Sequence, residues 1–171
     1  RYIAQKIESL IMQGQEYGDF AVLYRTNAQS RLIEEFFIKN NIPYRLYGGV
    51  RFYDRKEIKD VIAYLKAINN PNDDIALRRI INVPKRGIGD SSVDKVSVFA
   101  AQNGISLYSA LSKLGQIEGL GARSGKLAAF FSVMESLKET AETESLSDII
   151  DMVLDKSGYL ESLKAEGTEE A

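Results

Sequence analysis

Cysteine and histidine are both absent from this chain of 171 residues. The first absence excludes disulfide staples and thiol nucleophiles; the second removes Ser-His triads and, with the first, the usual zinc sites. Any catalysis therefore falls to carboxylates, Lys, Arg, Tyr or hydroxyls. Long hydrophobic runs are missing as well: the apolar stretches fall far short of the roughly 20 residues of a membrane span, and no secretory signal is visible. Nor is there an excess of positive charge. With 22 Lys and Arg against 24 Asp and Glu the net charge is -2, which argues against a generally sticky nucleic-acid binder, because a phosphate backbone rewards clustered cations.

A complete phosphate loop is also lacking. No stretch satisfies Gly-x-x-x-x-Gly-Lys-Ser/Thr, the pattern that cradles nucleotide phosphates and holds magnesium. Gly119-Leu120-Gly121-Ala122-Arg123-Ser124-Gly125-Lys126 only looks similar: its first Gly is at the wrong offset from Gly125, and Leu127 replaces the hydroxyl residue that would hold the metal. It reads as a flexible turn leading into a helix. No Asp-Glu pair follows an apolar strand to serve as magnesium site and general base, so an ATPase built from these residues alone is not expected. The start at Arg1, with no initiator Met, fits a piece of a longer chain.

The length allows one ordinary domain, or one domain and part of another. Hydrophobic spacing gives a helix over 2–12, a short strand near 20–24, a helix over 28–39 and a second strand near 44–47, a βαβ-like rhythm. Ile42-Pro43 marks the loop before the second strand and Gly48-Gly49 the turn after it. Ile58, Val61, Ile62, Leu65 and Ile68 form a helical stripe that Asn70-Pro71 ends. A further helix spans 74–81 before Val83-Pro84, and helices over 91–101, 107–114, 125–140, 146–155 and 159–164 follow. Val93, Val96, Phe99 and Ala100, and likewise Leu127, Phe130, Phe131, Met134 and Leu137, read as core stripes. Cations gather locally at Arg51, Arg55, Lys56 and Lys59, and at Arg78, Arg79, Lys85 and Arg86; acidic residues gather from Glu139 to Glu170.

Two segments carry candidate chemistry. Tyr24 and Arg25 stand where the first strand ends, with Thr26 and Gln29 at capping-box spacing behind them. In open α/β sheets ligands collect beyond the carboxyl ends of strands. A Tyr ring can stack on a purine there, and an Arg fork matches phosphate geometry. Taken alone, these two residues favour a plainer reading, in which Tyr24 packs into the core and Arg25 pairs with Glu34 or Glu35. The second segment is Lys85-Arg86-Gly87-Ile88-Gly89, where two glycines let backbone amides approach a ligand, two cations stand beside them, and Asp90 or Ser91 caps a new helix. A phosphate contact and an ordinary left-handed turn with solvated charges fit its spacing equally well.

Tyr24-Arg25-Thr26-Asn27-Ala28-Gln29-Ser30-Arg31 resembles helicase motif IV. Residues 48–60 and 82–90 resemble the blocks that follow it in superfamily 1 DNA helicases of the UvrD/Rep/PcrA type. The similarity is tightest over 19–90 and thins after about residue 102. It implies an α/β fold: a partial RecA-like parallel sheet with helices, followed by an all-helical segment. Residues 1–18 would be a helix leading into the domain, 19–118 the first half of the second RecA-like domain, and 119–171 the start of an inserted helical subdomain, with a hinge near 115–121.

The function implied is that of part of an ATP-dependent 3′-to-5′ DNA helicase, inactive alone. Tyr24 would be the adenine platform, Arg25 the arginine finger on the γ-phosphate, and Lys85, Arg86, Gly87, Ile88 and Gly89 part of the DNA-backbone track. The cofactor would be ATP with Mg2+, whose metal ligands lie outside this stretch. Partners would be single-stranded DNA, a duplex junction and the first RecA-like domain of the same parent chain, in bacterial cytoplasm and with no membrane. The alternatives are a non-catalytic helicase-like interaction module and a segment of a recombination-type nuclease-helicase subunit.

Overall fold

Helices form nearly everywhere that the apolar spacing follows the 3.6-residue period. The computed structural model describes residues 2–26, 29–47 and 51–167. Its contacts divide the chain into two units, 1–58 and 59–171.

In the first unit, α1 (Tyr2–Ile11) packs on α2 (Ser30–Lys39). Ala4, Ile7, Phe37 and Ile42 make its small core, with Phe20, Val22, Ile33 and Tyr44 partly buried against them. Asn41 takes a left-handed φ of 52° just after α2, and the Ile42 amide then returns to the Phe37 carbonyl at 2.8 Å. The turn thereby tucks Ile42 under the helix.

The expected parallel sheet is not there: among the described residues no strand forms. Residues 20–24 and 44–47 lie outside helices, and Phe20 is extended at φ -106° and ψ 139°, yet no backbone hydrogen bond joins the two runs. Phe20 and Val22 turn inward onto the core, while Leu23 is 94% exposed. The alternation is that of a half-buried extended chain, and the surface it covers is helical. Apolar alternation encodes which face is buried; a strand also requires a neighbouring backbone for its ladder. The glycine turn at 48–49 lies outside the described residues, as do Asn27 and Ala28 of the motif IV string.

The described part of the second unit is made of helices joined by turns and loops. It is built from α3 (Lys56–Asn69), which begins just before the division, α4 (Asp74–Ile80), α5 (Asp90–Asn103), α6 (Leu107–Leu111), α7 (Ser124–Ala141), α8 (Leu146–Lys156) and α9 (Tyr159–Glu166). Side chains start several of them in the usual way: Asp73 accepts from the Ala76 amide at α4, Ser106 from Ser109 at α6 and Ser145 from Asp148 at α8. Gly104 closes α5 in the left-handed conformation. α5 packs on α6, α7 on α8 and α8 on α9. The stripes expected on α5 and α7 do face the core, with Val96, Leu127, Phe130, Met134 and Leu137 essentially sealed.

The face of α3 differs from the one its apolar residues predict. Asp60, Ala63, Tyr64, Ala67 and Ile68 are buried, while Ile58, Val61, Ile62 and Leu65 are only partly so. The rotation puts a carboxylate inside, which costs free energy unless it is paired. Asp60, 2% exposed, is paired twice over: Arg79 donates Nε to Oδ1 at 2.8 Å, and the Tyr159 hydroxyl donates to Oδ2 at 2.7 Å. α3, α4 and α9 thus meet at one acid.

Burial pushes the phenols of Tyr64 and Tyr108 above the ordinary 10.0; Arg86 opposes the shift at Tyr64, and Glu135, which accepts the Tyr108 hydroxyl, adds to it. A folded state that holds phenolic protons more tightly than the unfolded chain is fully stabilised below about pH 10 and loses that stability as pH rises through the raised folded values. Denaturant midpoints should stay level from about pH 8 to about pH 10 and then fall, and the share of tyrosinate absorbance owed to Tyr64 and Tyr108 should appear only with unfolding, after the exposed tyrosines have ionised. Full tyrosinate absorbance from a still-folded chain would contradict this.

Candidate functional site

Each unit presents one candidate surface. In the first, a cleft of about 640 Å³ is lined by residues 20–24 and 43–47 together with Ser30, Ile33, Glu34 and Phe37 of α2. Tyr24 is half-buried in its wall, and Arg25 is exposed at the bend that follows. The Arg25 amide donates to Gln29 Oε1 at 3.0 Å, so Gln29 acts as the clamp of this turn and Arg25 is held at its backbone. No described residue pairs with the Arg25 guanidinium. The two carboxylates that could have neutralised it are engaged elsewhere: Glu35 binds Arg31 at 2.9 Å, and Glu34 accepts the Tyr44 hydroxyl at 3.1 Å.

Glu34 is only 5% exposed, and its Oε1 has no hydrogen-bond partner among the described residues. Burial first and Glu34 second raise the Tyr44 phenol above its ordinary value, so this hydroxyl stays a donor to the acid at neutral pH. The cleft therefore offers an aromatic wall, a sequestered carboxylate and a free guanidinium just outside its lining. No group of three or more acidic residues stands at metal-holding distance among the described residues. The chemistry this face can supply to a nucleotide is stacking and phosphate contact.

In the second unit, residues 81–89 make a tight hairpin between α4 and α5, and its side chains divide by direction. Lys85 is exposed and has no partner among the described residues. Arg86 points inward: its guanidinium donates to the Ile80 and Pro84 carbonyls at 3.2 Å each, to the Tyr64 hydroxyl at 2.8 Å and to the Ser157 carbonyl at 3.2 Å. It also lies 5.2 Å from the centre of the Phe130 ring. Ile88 is 2% exposed within the core. Gly87 adopts φ 69°, a left-handed value that costs a residue with Cβ roughly 1–2 kcal/mol.

Asn82, which sequence reasoning passed over, organises the hairpin. Its Oδ1 accepts the amides of Arg86 at 2.9 Å and Ile88 at 3.2 Å, leaving the Gly87 and Gly89 amides unused by that oxygen. The signal was an amide residue just ahead of Val83-Pro84, where a side chain can stand in for a missing backbone partner. Asn82→Ala orphans both amides and should lower stability by about 2 kcal/mol in chemical denaturation. Asn82→Asp, which keeps the acceptor, should lose much less; equal losses would remove Asn82 from this role.

Gly121–Arg123 forms a 3-10 turn leading directly into α7, so the phosphate-loop lookalike is a helix start. It nonetheless delivers a cation to the hairpin, since Lys126 Nζ lies 3.4 Å from the Gly87 carbonyl oxygen. No helix among the described residues is long and apolar enough to cross a membrane.

A family profile described as the UvrD-like helicase C-terminal domain matches residues 1–119. The chain is 49% identical over 166 residues to an ATP-dependent DNA helicase PcrA of Staphylococcus epidermidis, a match covering 96% of this chain and 23% of that protein. It is 48% identical over 171 residues to an ATP-dependent DNA helicase PcrA of Staphylococcus aureus, covering 99% and 23%. The chain thus spans about a quarter of the length of these curated relatives. Near-half identity along almost all of its residues, together with a profile that contains both the Tyr24-Arg25 bend and the 85–89 hairpin, leads to one assignment: this chain belongs to the UvrD-like helicase C-terminal domain family.

Proposed function

We propose that the chain serves an ATP-dependent 3′-to-5′ DNA helicase, in which it supplies one wall of the nucleotide site and part of the DNA track and does not turn over ATP alone. The observation that carries this reading is Arg25, exposed beside the Tyr24 cleft with no described carboxylate on its guanidinium. Tyr24 is the stacking platform for adenine, and Arg25 reaches the γ-phosphate. A guanidinium at the transferring phosphoryl group stabilises charge that grows in the transition state. The remaining phosphate contacts and the Mg2+ ligands come from the first RecA-like domain of the same parent chain.

Residues 19–118 belong, on this proposal, to the second motor domain, and 119–171 begin its inserted helical subdomain. The 85–89 hairpin rests on the sugar-phosphate backbone at the junction of single-stranded and duplex DNA. Lys85 and the Gly87 and Gly89 backbone face the phosphates, while Arg86 and Ile88 hold the hairpin's shape from behind. Contacts of this kind grip a strand without reading its bases, as a translocase requires. The site of action is the bacterial cytoplasm.

The test is unwinding by the full-length protein with ATP. Duplexes carrying a 3′ single-stranded tail should be opened and those carrying only a 5′ tail should not. Equal opening of both, or of neither, would overturn the assignment.

A further inference from the structure

We infer that Lys126 is a DNA-backbone contact of the 85–89 hairpin, supplying beside Lys85 the second phosphate-facing cation that the sequence places at Arg86. The inference rests on the proposal that this hairpin lies on the DNA track. Arg86 is adjacent in sequence, but its fork is spent on three carbonyls, the Tyr64 hydroxyl and the Phe130 ring. A phosphate could recruit it only by dismantling those contacts. Lys126 comes from a segment about 40 residues away and is exposed.

The position of Lys126 is fixed by its neighbours. Leu127 is fully buried, which sets the first turn of α7. Lys95 Nζ donates to the Gly119 carbonyl at 2.6 Å, holding the chain that leads into that turn. Phe130, four residues on from Lys126 and so on the same helix face, lies under the Arg86 guanidinium. One face of α7 is therefore docked along the hairpin, with Phe130 against its inner cation and Lys126 against its outer turn.

The contact itself has the form of a waiting site. The ammonium is 3.4 Å from the Gly87 carbonyl oxygen, a loose bond that occupies one of its three donors and leaves two for a ligand. A side chain at position 87 would crowd it: a Cβ there would stand 2.5 Å from Nζ. The left-handed φ of 69° is what calls for glycine at 87; the flexible end of Lys126 would be displaced by a side chain there. Asp90 is exposed at the start of α5, directly after the hairpin, and with the Arg86 guanidinium turned inward, Lys85 is the one exposed cation within residues 81–89; Lys126 brings a second to the same turn.

The experiment is a salt titration of the full-length protein binding a fluorescent 3′-tailed duplex of mixed sequence, for the wild type, Lys85→Ala, Lys126→Ala and Lys126→Arg. Removing one phosphate-binding cation should reduce the slope of log K against log salt by about 0.7 to 0.9. Lys126→Ala should show that reduction and an unchanged melting temperature, and Lys126→Arg should restore the slope. A reduced slope for Lys85→Ala with a wild-type slope for Lys126→Ala would overturn this inference and leave the hairpin on the track. Wild-type slopes for both alanine variants would remove the hairpin itself from the DNA, and the inference with it.

Discussion

Arg25→Ala in the full-length protein should lower the rate constant of ATP hydrolysis by about 10³ to 10⁵ while changing ATP affinity by less than about tenfold. The asymmetry follows from where the guanidinium stands. Arg25 lies at the bend after the cleft wall, while Tyr24 is in the wall. On the proposed roles, base stacking should survive the truncation, and what should disappear is a cation that matters most when phosphoryl charge is redistributed. The fold should be untouched, because the side chain is exposed and its amide, bonded to Gln29, remains. Tyr24→Ala should behave in the opposite way, weakening ATP binding more than the chemical step. A loss of affinity as large as the loss of rate in Arg25→Ala would mean that Arg25 holds the ground state and is no finger.

Arg86→Ala should destabilise the fold strongly, by about 3 kcal/mol. The truncation leaves the carbonyls of Ile80, Pro84 and Ser157 without their cationic donor and uncovers the Phe130 ring. It also removes the donor that bridges the hairpin to Tyr64, whose own hydroxyl donates to the Val83 carbonyl at 2.5 Å. Arg86→Lys should recover only part of the loss, because an ammonium cannot reproduce the planar fork that reaches acceptors on several sides. Urea denaturation separates the outcomes. A midpoint equal to that of the wild type, with a reduced salt slope for DNA binding, would place Arg86 on the outer face of the hairpin instead.

The helices were legible because their signals are local. The caps at Asp73, Ser106 and Ser145 and the stop at Gly104 lie within a turn of the helices they bound. Apolar periodicity alone located the buried sides of α5 and α7. The same periodicity misjudged α3, since the acid it would send to solvent is held inside by Arg79 and by Tyr159, a residue 99 positions away. No local pattern encodes a partner that distant. The strands failed for a related reason: 20–24 and 44–47 carry extended, alternating sequence, but alternation specifies a buried face and not a ladder.

The candidate residues divide along the same line. Tyr24 lines a cleft, and Arg25 and Lys85 are exposed at turns that glycine, capping residues and charge mark in the sequence. Lys126 was invisible as a neighbour of the hairpin, and Asn82 left only its place ahead of Val83-Pro84 as a signal, because their roles depend on where the backbone brings an ammonium and an amide oxygen. Arg86 shows the limit of reading a charge run as a surface. Two adjacent cations in a glycine turn point to opposite sides, and only the packing of Tyr64, Ser157 and Phe130 decides which is inside.

Single-turnover ATP hydrolysis by the full-length protein and its Arg25→Ala variant, with and without single-stranded DNA and with ATP binding measured on the same samples, tests the central claim most directly. The account predicts DNA-stimulated hydrolysis by the wild type and a variant that binds ATP but stalls. Hydrolysis by the variant at the wild-type rate, or a wild type that DNA does not stimulate, would contradict it.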